Sequence, residues 1–192
     1  MSIVRQETLI HWNFFLSIEE DLDKLARFVD FSANDNTYSI EIARLFLAAS
    51  AEADVVLKQL CKSLNPDSDA SSINIYYKYI LNNIPRFKDF EVILPRYGLT
   101  LTPWTDWNEV HPPFWWQDHN KVKHYRHEHF QKANLKNCLN SIAGLYVSVL
   151  YLYKPQAENG ELLQLPKLFN VGNAYFGGTM MGRYGHSFKY RL

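Results

Sequence analysis

Residues Phe114–Tyr153 read FWWQDHNKVKHYRHEHFQKANLKNCLNSIAGLYVSVLYLY. From Leu135 onward, Leu135, Leu139, Ile142, Tyr146, Val149 and Tyr153 recur at steps of four and three, which is one stripe of an amphipathic helix. A second stripe of small or amide side chains, Asn134, Asn137, Ser141, Gly144 and Ser148, lets another helix approach closely. The spacing therefore predicts a helix over 129–153 with neighbours on two sides. Ahead of it lies a shorter helix over 114–126, entered through two prolines and two tryptophans. Around the junction of the two, Asn120, Lys123, His124, Arg126, His127 and His129 fall within ten residues.

Upstream, Ile18, Leu22, Leu25 and Val29 make the stripe of a first helix over 7–31, with the acidic run Glu19–Asp23 expected to face water. The turn-forming SANDNT stops it. A second helix over 38–64 is apolar nearly all round, with Ile42, Phe46, Ala49, Ala53, Val56 and Leu60 as its main stripe. That places it centrally and makes Glu52 and Asp54 costly unless a cation or donor meets them. A third helix over 70–84 closes at Pro85. FEVILPRYGLTLTPW then reads as a small hairpin over 90–102, its first strand held to an edge or bulge by Pro95. Trp104 and Trp107 follow in a connector expected to pack on the bundle. Residues 155–192 carry no helical stripe and read as an irregular arm, with a short strand over 168–171. The expectation is a mainly α chain: an up-and-down bundle of four to five helices in one domain over 1–192, with a hairpin insertion and a C-terminal arm.

Across 192 residues, 20 Lys and Arg balance 20 Asp and Glu. No overall field draws the molecule onto nucleic acid, so any such binding comes from a local patch. The N-terminal MSIVRQETLIHW has charges where a signal peptide needs an apolar run, and no apolar stretch reaches the roughly 20 residues of a membrane span. A soluble, cytoplasmic protein is expected, with no membrane partner. Cys61 and Cys138 sit in helical patterns and read as buried thiols.

On a helix starting near Phe114, Asn120, Lys123, His124 and His127 share one face, with Arg126 at its rim. Asn, Lys, His and Arg together grip phosphate and supply an imidazole for proton transfer, as ribonucleolytic cleavage through a 2′-hydroxyl needs. His124, Arg126, Lys123, Asn120 and His129 are the catalytic candidates; Glu52, Asp54, Trp116 and His127 are the binding candidates. No metal or other cofactor is expected, because the histidines lack a carboxylate at a familiar ligand spacing. A structural role competes with this: the cationic groups near residue 124 would neutralise Glu52 and Asp54 and clasp the bundle.

The long N-terminal helix pair, the segment NKVKHYR and the closing helix ANLKNCLNSIAGLYVSVLYLY resemble the HEPN superfamily over roughly residues 7–64 and 114–153. That resemblance implies a four- or five-helix bundle, commonly a homodimer, acting as a metal-independent ribonuclease of toxin and phage-defence systems or as a non-catalytic RNA-binding or protein-interaction module. Catalytic members carry an Arg followed four to six residues later by a His. Here Arg126 is followed too closely by His127 and His129, Lys123 stands at that distance from His129 without being an Arg, and the literal match is Arg5 with His11. Charge balance and the displaced motif favour the non-catalytic module, with RNA or a protein as partner; the ribonuclease is the alternative.

Overall fold

The computed structural model describes residues 8–182 and 185–192. Among them are seven α-helices: α1 Ile10–Leu25, α2 Ile40–Leu64, α3 Ile73–Asn83, α4 Phe114–His124, α5 Arg126–His129, α6 Leu135–Leu152 and α7 Lys154–Asn159. The mainly α expectation holds. Two of the helices carry side-chain caps: Ser39 Oγ accepts from Ile42 N at 3.1 Å, and Asn134 Oδ1 accepts from Asn137 N at 3.0 Å.

α2 is central as expected, packed against α1, α3, α4 and α6, and α6 is buried more completely still. Sixteen of its eighteen residues are buried, against eleven of twenty-five in α2. The bundle is also not up-and-down. Just before the two helices, Tyr38 pairs with Asn134, Leu135 N donates to Thr37 O and Lys136 N to Asp35 O. At their far ends, Gln59 and Tyr153 both meet His11 at the start of α1. The packed pair α2 and α6 therefore runs parallel, with α1 antiparallel to both. A parallel pair needs a long return, and residues 65–134 supply it, carrying α3, the hairpin, α4 and α5.

That return brings the aromatic residues inside. Trp104, Trp107 and Trp115 are fully buried, their rings 4.9 and 5.1 Å apart, and the Trp115 indole N–H donates to Pro103 O at 2.8 Å. Each such indole removes roughly 200 Å² from water, worth about 5 kcal/mol before ordering costs. The small stripe of α6 is what admits them: a Cβ built on Gly144 would lie 2.8 Å from Trp115 Cζ2.

The hairpin forms as β1 Val92–Leu94 antiparallel to β2 Leu99–Leu101, turning through Gly98 at φ +62°. A third strand, β3 Asn170–Val171, pairs with β1 on its other side. β1 is thus central rather than an edge, and Pro95 is harmless because the strand ends one residue before it. The arm is more regular than expected, with α7 followed by β3 and the ribbon β4 Phe176–Gly182 with β5 Gly185–Tyr190. Tyr190 is buried and its hydroxyl meets that of Tyr146 at 3.2 Å.

The first helix is shorter than its periodicity suggests and its acidic run is not all solvated. Glu19 is buried and accepts backbone N–H groups of Lys167 at 2.9 Å, Leu168 at 2.7 Å and Phe169 at 3.1 Å. Burial raises the Glu19 carboxyl above its ordinary range against those three donors. Cys61 and Cys138 are buried free thiols, as expected.

Candidate functional site

α4 starts where Asp106 Oδ2 accepts the Phe114 N–H at 2.9 Å, and it buries Trp115, Trp116, His119 and Val122. Trp116, a candidate binding residue, is therefore core. Beside that buried stripe α4 presents Asn120, Lys123 and His124 to solvent, three and four residues apart as anticipated. The helix ends there. Tyr125 adopts φ −136°, ψ 48°, and Arg126–His129 form a separate turn. His127 consequently leaves the face it was assigned to, and His129 is half-buried.

The expected clasp to α2 is not made. Glu52 Oε1 lies 2.6 Å from His11 Nδ1. Asp54 accepts from Lys58 Nζ at 2.6 Å and from Tyr76 Oη at 2.9 Å. The imidazole that α4 does bury is His119, which packs edge-on to Phe46. Burial, reinforced by the nearby Lys123 charge and opposed by Asp54, pushes His119 down to about 4.

On the outer face, Asp118 engages Lys132 at 2.9 Å and Lys121 at 3.2 Å, and Glu128 meets His127 at 3.2 Å. Burial works to raise the Asp118 carboxyl, but Lys132, Asn137 and Lys121 outweigh it and hold it low. Among the described residues, Lys123, His124 and Arg126 make no ion pair. Between them stands Tyr125, 57% exposed, its ring 6.4 Å from that of His124. Sequence reasoning passed over Tyr125, although an aromatic residue inside a basic run is the signal of a stacking platform. Among the described residues no hydrogen bond or ion pair holds the His124 imidazole, and His127 meets only the exposed Glu128.

A second polar locus lies far from any residue that sequence reasoning proposed as catalytic. His11 sits at the start of α1, 9% exposed, between two side chains of α2. Glu52 Oε1 lies 2.6 Å from Nδ1 and the Gln59 amide 2.7 Å from Nε2; an ionised Glu52 can only accept, so Nδ1 is the donor of that pair, and Nε2 is an acceptor when the ring is neutral. Tyr153 lies beside it, its hydroxyl accepting the His11 N–H at 3.4 Å. The available signal was Glu52 and Gln59, seven residues apart and so on one helix face. His11 borders a groove of about 1140 Å³ between the start of α1, the end of α2 and the segment 153–164. Arg5, the other half of the literal motif match, lies outside the described residues, as does Arg183 of the arm.

No group of His, Cys, Asp and Glu suited to a metal ion occurs among the described residues, and no helix there is long and apolar enough to cross a membrane. No protein-family model, curated protein or solved structure matches the chain.

Proposed function

We propose that the protein is a non-catalytic RNA-binding module of HEPN-like kind that holds single-stranded RNA on the α4–α5 face. The observation that carries this is the exposed Tyr125 ring set among Lys123, His124 and Arg126, cations that no carboxylate among the described residues neutralises. Cations take the phosphates and the ring takes an unstacked base, which together bind single strands with little sequence preference. The neutral whole-molecule charge fits a local footprint of this size. The long pair α1–α2 and the closing helix α6 support the HEPN-like origin, while the parallel course of α2 and α6 separates it from a simple up-and-down version.

The test is anisotropy titration of a labelled mixed-sequence single-stranded RNA across a salt series. The double variant Lys123→Glu/Arg126→Glu should weaken binding at least about tenfold, and should make the log–log salt slope shallower by roughly 1.4, at about 0.7 for each phosphate no longer neutralised. Tyr125→Ala should weaken binding without altering the slope. Unchanged affinity and slope in both variants would discard the face. Cleavage of the RNA that is lost in His124→Ala would replace binding by the ribonuclease alternative.

A further inference from the structure

The geometry points to a second, separate site: we infer that the groove beside His11 binds an uncharged ligand through ring-borne vicinal hydroxyls, as a saccharide or the ribose of a nucleoside presents them. The walls argue for this chemistry. Asn13, Gln156 and Gln164 bring carboxamides that donate and accept at once, and Glu161 and the Nε2 of a neutral His11 accept only. Hydroxyl groups, which also donate and accept, match such a wall. Among the described residues that line the groove the charged side chain is Glu161, whose carboxylate repels a phosphate. Its volume of about 1140 Å³ suits a short oligosaccharide rather than a single ion.

His11 is the prepared element. Glu52 fixes the ring and its tautomer, as an outer partner does for a ligating imidazole. The acceptor it presents is occupied by Gln59, which is exposed and long enough to swing away. A ligand hydroxyl displaces that amide and donates to Nε2 in its place. Tyr153, which is partly exposed, adds apolar ring surface at the same end. This site is independent of the RNA face. Asn137, which bonds Asp118 of α4, and Tyr153 are sixteen positions apart along α6, roughly 24 Å at the helical rise.

The experiment is saturation-transfer NMR followed by calorimetry on the full chain. The probes are maltose, cellobiose, N,N′-diacetylchitobiose, uridine and, as the peptide arm, triglycine. At least one saccharide or uridine should bind, and the arm that does so identifies the source of the hydroxyls. Glu52→Gln should weaken that binding about tenfold, the size of a lost charge-assisted bond. Gln59→Ala should strengthen it about fivefold by removing the competing amide. Lys123→Glu, which tests the RNA face, should leave it unchanged. Should Glu52→Gln disturb the fold by circular dichroism, the exposed Gln59→Ala decides alone. Binding by none of the hydroxyl probes, binding of triglycine alone, or no strengthening in a folded Gln59→Ala would overturn the proposal.

Discussion

Two buried ionisable side chains show how a single residue is read differently once its surroundings are known. Glu19 sits in a run of acids that composition assigns to solvent, yet its two oxygens collect three backbone N–H groups from the segment 167–169. Those donors belong to a stretch with no secondary structure of its own, and without the carboxylate they lose their acceptor. Glu19→Ala should therefore cost about 3 kcal/mol, and the Leu168 and Phe169 amides should lose hydrogen-exchange protection. Equal protection in the variant would show that the segment is held by other interactions.

His119 gives a pH prediction of definite sign. Its folded value is pushed down to about 4 from an ordinary 6.5, so the unfolded chain binds the extra proton across that window. Stability present above pH 6.5 should fall as pH drops toward 4, by about 3 kcal/mol in all. Denaturant midpoints measured from pH 7 to 4 check this against His119→Leu, in which that component of the slope should vanish. His119 follows Trp116 and Trp115 by three and four residues and precedes Val122 by three, the spacing of the buried stripe, a signal that the sequence reading passed over in favour of the exposed imidazoles.

At the scale of elements, α6 and α4 meet through one absent side chain. Gly144 lies mid-helix, where alanine is intrinsically favoured by up to about 1 kcal/mol. A Cβ there would press on Trp115 at 2.8 Å and on Trp104 at 3.3 Å, both fully buried. Overpacking wins: Gly144→Ala should lower stability by about 1–3 kcal/mol in urea unfolding. Stabilisation by Ala would mean that the indoles yield more readily than a dense core allows. The small stripe was legible in the sequence, and so were helices over about 38–64 and 114–126, since periodicity is local. The break at Tyr125 was not, because no Gly or Pro marks it. The chain stops there so that it can turn through α5 and reach the backbone of residues 35–37, to which Leu135 and Lys136 donate. That break is also what separates His127 from Lys123 and leaves Tyr125 exposed.

For the whole molecule, the parallel α2–α6 pair ties distant parts of the chain to one core. α1 from the beginning, the tryptophan return from the middle and Tyr190 near the end all enter the same buried cluster. Tryptophan fluorescence and far-ultraviolet circular dichroism should accordingly report one coincident unfolding transition. Two separated transitions would show that the return segment or the arm unfolds on its own.

The sequence by itself determined the mainly helical character, the hairpin, the buried thiols and the basic face of α4, because each follows from composition or from spacing within a few turns. It did not determine which charge meets which. Glu52 was expected beside His124 and is bonded to His11, and that exchange follows from the direction in which α2 runs against α1 and α6. Helix direction is set by long-range packing and by how the return over residues 65–134 folds, and no periodicity encodes it. Only the tertiary structure could therefore place an imidazole held by Glu52 beside a groove at one end of the bundle and leave Lys123 and Arg126, which make no ion pair among the described residues, at the other.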